Sequence, residues 1–138
     1  MTNGLNYLAL ARKAGLAELG EEPVGAAARK GKAYLIAVAG DASDHTWRRA
    51  KSYAAGTEQQ CIRLEATKDE MGFSVGRTSL AIAAITDPAM ALAMVKALGQ
   101  PDKYQEALET LTAKADRAKK RRSEAKAHQK NVRFGKKK

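Results

Sequence analysis

Alternating helical and strand signals along this chain predict an α/β fold, with a sheet held between helical layers. Two continuous apolar runs, 33–39 and 80–85, are bounded by turn or cap residues and read as strands covered on both faces. Around them lie segments with helical spacing and recognisable start and stop residues. Length sets the domain count. Residues 1–99 suffice for one core and are too few for two, which leaves 100–118 as a helical extension and 119–138 as a basic, disordered tail.

Taken in order, Leu5, Leu8, Ala9 and Ala11 or Arg12 fall at helical spacing, and Gly15 ends that helix after basic residues. Leu16 to Leu19 is a short apolar stretch without a clear period. Gly20-Glu21-Glu22-Pro23 opens a second helix, with acids where the dipole favours them and Pro in the first turn; it closes near Arg29-Lys30-Gly31. The run 33–39 is the best central strand. Asp41 to Asp44 offers cap chemistry for a third helix ending at Gly56, and Gln60 to Leu64 is a weaker strand interrupted by Arg63. Thr67 with Glu70 three residues on reads as a capping box for a short helix to Val75, followed by a loop over Gly76-Arg77-Thr78-Ser79. After the strand at 80–85, Asp87-Pro88 caps the last core helix. Tyr104, Leu108, Leu111, Ala115 and Ala118 then share one face, and the stripe thins from Leu to Ala so that its first half packs. From Lys119 the chain is expected to be solvated and at best transiently helical, and from Asn131 disordered.

Charge is divided sharply. Residues 112–138 hold twelve Lys or Arg against Asp116 and Glu124, a net of +10, while residues 1–111 balance thirteen cations with thirteen acids. The tail cations Lys119, Lys120, Arg121, Arg122, Arg133, Lys136, Lys137 and Lys138 attract polyanions by neutralising phosphates and releasing counterions. A merely solubilising tail is the competing reading.

Convergent catalytic groups are missing from the pattern. His45 and His128 stand outside metal or nucleophile spacings, no phosphate-loop signature occurs, and Asp41 with Asp44 is better explained by helix capping than by a metal. The expectation is a protein that is not an enzyme, with no catalytic residue, cofactor, metal or small-molecule substrate. The single Cys61 suits a reducing compartment, and no window approaches a membrane span, so a soluble, cytoplasmic protein without a membrane partner is expected. Two Phe, four Tyr and one Trp argue against a broad base-stacking surface. What remains is a set of basic or backbone-donating positions at helix ends: Gly20 with Glu21 and Glu22, then Arg29, Lys30 and Lys32, then Arg77 with Thr78 and Ser79. Ordinary surface charge accounts equally for Arg29 and Lys30.

Six runs occur in order: Leu8 to Gly15, Leu19 to Glu22, Arg29 to Ile36, Gly40 to Ser43, Thr67 to Gly72 and Ala84 to Asp87. Together, over about Leu5 to Leu98, they resemble the YlxQ-like bacterial branch of the superfamily of archaeal and eukaryotic ribosomal proteins that bind RNA kink-turns. The resemblance implies a three-layer α/β/α sandwich around a mixed four-stranded sheet. It also implies a translation-related protein that binds ribosomal or other structured RNA. Its RNA-binding surface would comprise Gly20, Glu21 and Glu22, then Lys32, then Val75, Gly76, Arg77 and Thr78; Arg29 joins these as an RNA-binding candidate on its charge at a helix end alone. Kink-turn binders carry Asn, Glu and Lys where this chain has Glu22, Pro23 and Ala26. An ionised Glu only accepts hydrogen bonds where Asn both donates and accepts, so the resemblance points to RNA without specifying which RNA. The alternative reading is a protein-interaction module of the translation or transcription machinery whose basic tail docks an acidic partner.

Overall fold

The computed structural model describes residues 3–135, with side chains described for 4–127. Ten elements follow in the order α1 (Asn3–Lys13), β1 (Ala17–Leu19), α2 (Glu21–Arg29), β2 (Leu35–Val38), α3 (Asp44–Ala54), β3 (Gln60–Arg63), α4 (Lys68–Ser74), β4 (Ile82–Ile85), α5 (Pro88–Ala97) and α6 (Gln105–Gly135). The sheet order is β1-β4-β2-β3, with β4 antiparallel to both neighbours and β2 parallel to β3. Helices α2 and α3 pack on one face, and α1, α4 and α5 on the other, which gives the mixed sheet its three layers. The central strands β2 and β4 are buried along their whole length, as their unbroken apolar runs require.

The stretch before Gly20 is a strand. Ala17, Glu18 and Leu19 pair with Ile85, Ala84 and Ala83, making β1 a three-residue sheet edge. Its shortness and its central Glu18 hide any period in the sequence.

Caps form as the residue types dictate. The Thr67 hydroxyl accepts from the Glu70 amide at 3.1 Å and the Glu70 carboxylate accepts from the Thr67 amide at 3.0 Å. Ser43 caps α3 through the Thr46 amide, and Asp87 caps α5 through the Met90 amide. Asp41 serves a different helix from its neighbours: its carboxylate accepts from the Lys68 amide at 2.8 Å, fastening the loop after β2 to the start of α4. Gln59, buried at 8%, accepts from the Ala33 amide at 2.9 Å and donates to the Ala28 carbonyl at 3.2 Å. One amide side chain thereby joins the end of α2 to the approach to β2.

The extension after Pro101 packs on the domain. Tyr104, Ala107 and Leu111 are buried against α5 and β3, and the Tyr104 hydroxyl donates to the Arg63 carbonyl at 3.1 Å. Lys114 reaches Glu58 at 2.8 Å. Beyond Leu111 no side chain among the described residues is buried. The sequence predicts loss of helix from Lys119 and disorder from Asn131; the structure carries α6 to Gly135. Ala, Lys, Arg, Glu and Gln dominate the segment and neither Gly nor Pro occurs in it before Gly135, so backbone propensity sustains a helix that packing has abandoned. Every side chain from Lys119 to residue 127 is exposed; Lys136, Lys137 and Lys138 lie outside the described residues, as does the side chain of Arg133.

Candidate nucleic-acid interface

Strands β1, β2 and β3 run in the same direction, so the helices that follow them, α2, α3 and α4, all start at one end of the sheet. Their positive dipole ends converge there. Side chains cap α3 and α4, but α2 begins at Gly20 with no side-chain cap. Gly20 turns the chain out of the sheet at φ 97°, a conformation strained for any side chain, and its amide donates to the Ile82 carbonyl at 3.0 Å. The amides of Glu21 and Glu22 are left without intrahelical acceptors, and Pro23 has none to offer. Glu22 is exposed, whereas Glu21 folds back so that its Oε1 is buried without a partner.

The second part of the surface is the loop between α4 and β4. Val75 is buried at 3% and anchors it, while Gly76, Arg77 and Thr78 are exposed. The Arg77 amide donates to the Gly72 carbonyl at 2.8 Å and the Leu80 amide to the Lys68 carbonyl at 2.9 Å, which folds the loop back on α4. Contact is close: a Cβ on Gly72 would stand 2.7 Å from the Ser79 backbone. Because Gly20 bonds Ile82, the first residue of β4, the mouth of α2 and this loop lie at the same end of the sheet.

Arg29 and Lys32 are placed elsewhere. They flank the far end of α2, roughly 13 Å along a nine-residue helix from its mouth. There Arg29 lines a groove of about 310 Å³ together with Gln59, Glu58 and Lys114. This is also the end from which α6 leaves the domain, since α6 runs from Arg63, at the close of β3, back to Glu58 before its start. Arg29 therefore groups with Lys114, which Arg117 and the exposed Lys119, Lys120, Arg121 and Arg122 follow along α6, while Lys30 and Lys32 line a separate groove with Glu18, Pro23 and Thr86 beside β1. The mouth and the cationic helix occupy opposite ends of the sheet.

Phe73 is a residue the sequence reasoning missed. It is 77% exposed, and its carbonyl accepts from the Gly76 amide, so a bare aromatic ring stands one turn before the loop. The signal was available: the buried face of α4 is Met71, Gly72 and Val75, which leaves Phe73 off that face.

Among the described residues two titrations are displaced, both away from the mouth. The hydrogen bond and charge of Lys114, with a smaller contribution from Arg117, hold the Glu58 carboxyl below the ordinary carboxylate value. Burial pushes the Cys61 thiol up to about 12, against a small opposing effect of Lys51. Among the described residues no group of three His, Cys, Asp or Glu could hold a metal, and no helix is long and apolar enough to cross a membrane.

No family model and no curated protein matches the chain. Solved structures do. The fold is similar to that of a Bacillus halodurans protein of unknown function, with a TM-score of 0.66 and 19% identity over 72% of this chain and 99% of that one. It is also similar to the 15.5kD RNA binding protein of Giardia lamblia, with a TM-score of 0.58 and 16% identity over 78% of this chain and 85% of that one. At such identities the likeness establishes the architecture: the α/β/α sandwich of this chain is one on which an RNA binding protein is also built.

Proposed function

We propose that this chain is a non-enzymatic RNA-binding protein for structured RNA, in which the mouth of α2 and the Val75 to Thr78 loop select and the basic helix α6 adds affinity. The observation that carries this reading is the uncapped mouth at Gly20 beside an exposed glycine-arginine loop, on a domain whose remaining positive charge projects from the opposite end. Free helix amides and a glycine turn suit phosphate oxygens or base edges. Phosphate contacts along α6 supply attraction but little sequence information. The fold shared with an RNA binding protein supports the same reading. Its finer form places the chain in the YlxQ-like branch, in the cytoplasm, with ribosomal RNA as the first target.

The test compares the full chain with one ending at residue 118, which keeps every buried contact of α6. Affinity for folded ribosomal RNA fragments is measured against salt. About ten neutralised phosphates give the full chain a log-log slope of order −7 to −9. The shortened chain, lacking the ten cations from Lys119 onward, is expected to show a much shallower slope while still preferring folded RNA to a scrambled control. Full-chain binding that barely weakens with salt defeats the role given to α6, and loss of the preference in the shortened chain defeats the role given to the mouth.

A further inference from the structure

The outer strand β3 is an edge of the sheet, and its ladder has a definite phase. The Gln60 amide donates to Tyr34 at 3.1 Å and the Leu64 amide to Val38 at 2.8 Å, so the even-numbered residues face β2 and the backbone groups of Cys61 and Arg63 point outward. One of these is taken, the Arg63 carbonyl by the Tyr104 hydroxyl. The Cys61 amide and carbonyl and the Arg63 amide open toward a groove of about 250 Å³, walled by Trp47 of α3 on one side and by Lys103, Tyr104 and Glu106 on the other.

The side chains of this groove carry an unmet demand. Arg63 stacks on the Trp47 ring with its guanidinium carbon 5.5 Å from the centroid and donates from Nη2 to the Ala42 carbonyl at 3.1 Å. Its Nε is buried with no acceptor among the described residues. Arg63 and Lys103 line the groove against the single lining acid Glu106, with Lys103 on the Tyr104 ring at 5.3 Å and Lys51 outside the lining on the Trp47 ring at 5.5 Å. A buried guanidinium N–H without a partner is costly. An unpaired strand edge is a template for another strand.

We propose that this groove binds an extended peptide segment of a partner protein, which adds to β3 as a fifth strand and sets an Asp or Glu against the Arg63 guanidinium. Backbone pairing at Cys61 and Arg63 supplies register, the aromatic walls hold the flanking side chains, and the carboxylate completes Arg63 after a small rotation of its fork. A nucleic acid fits less well. Its phosphates cannot donate to the Cys61 carbonyl, and its 2′-hydroxyls and base amino groups do not repeat the alternating donor and acceptor spacing of a paired strand.

The experiment selects binders to the full chain from a phage-displayed library of random heptapeptides and follows an enriched synthetic peptide by amide hydrogen exchange. Expected are peptides with alternating β-branched residues and at least one acid, new protection at the Cys61 and Arg63 amides, and roughly tenfold or greater weakening in Arg63→Gln. Cys61→Pro removes the outward amide of an edge strand together with the thiol, so it is compared with Cys61→Val, which keeps the amide; at a melting temperature equal to that of Cys61→Val it should weaken the peptide about tenfold while Cys61→Val does not. Absence of enriched acidic peptides, protection appearing elsewhere, unchanged affinity in Arg63→Gln, or protection of these two amides by ribosomal RNA in place of peptide overturns the proposal.

Discussion

At the mouth of α2 an exposed carboxylate works against the free amides around it. Glu22 is exposed beside free amides, and its carboxylate opposes the phosphate that those amides and the dipole attract. Glu22→Asn removes the charge and adds a donor. It should raise affinity for a kink-turn RNA about tenfold or more, at the strength of one charge-linked contact, measured by titration against a straight duplex whose affinity rises less. Equal gains on both RNAs would show that only charge, and not base contact, is at stake. On the far edge, Cys61 keeps its proton to about pH 12 in the folded chain, while an unfolded thiol ionises near 8.5. The native state therefore binds more protons between these values, and stability falls as pH rises from about 9 toward 12. In urea unfolding between pH 8 and 10.5, the native chain should lose more stability than Cys61→Val, because all other titrations are shared. Both readings were only partly legible beforehand: Glu22 stands out beside Gly20 in the sequence, but nothing in Cys61-Ile62-Arg63-Leu64 announces that Cys61 is covered by α3 or that Arg63 Nε lacks a partner.

Among elements, α4 and its loop behave as one piece. Gly72 admits Ser79 at a distance that leaves no space for a methyl group, and Leu80 returns to bond Lys68. Gly72→Ala should therefore push Gly76 to Thr78 off α4, lowering stability by about 1–3 kcal/mol and weakening RNA binding, read by thermal melts and by the same RNA titration. A binding loss with no change in melting would place Gly72 itself at the interface. Element existence was largely legible, because caps at Thr67-Glu70 and Asp87-Pro88 and the two apolar runs are local signals. Two elements were not. Strand β1 is too short for a period and forms because β4 offers it an antiparallel edge. The later half of α6 gives no packing signal, and only its lack of helix breakers foretells its length. Placement was harder still: Arg29 and Lys32 look adjacent to Gly20 in sequence, yet a helix of nine residues carries them to the other end of the sheet.

As a whole the molecule is lopsided. A domain of no net charge carries a net of +7, over residues 112–135, on a helix that starts beside β3, passes Glu58 and runs roughly 30 Å beyond its last packed turn. Opposite ends for selection and attraction were not legible in the sequence, because only the direction of α6 along β3 decides them. That direction gives the protein a large permanent electric dipole, so a diffusing copy turns its cationic end toward a polyanion before any contact is made. If the chain binds RNA as proposed, the mouth faces away from the RNA at the moment of capture, and recognition follows as a separate, slower reorientation on the RNA surface. In stopped-flow experiments the first phase should slow steeply with salt and ignore Glu22→Asn, and the second should respond to Glu22→Asn and hardly to salt.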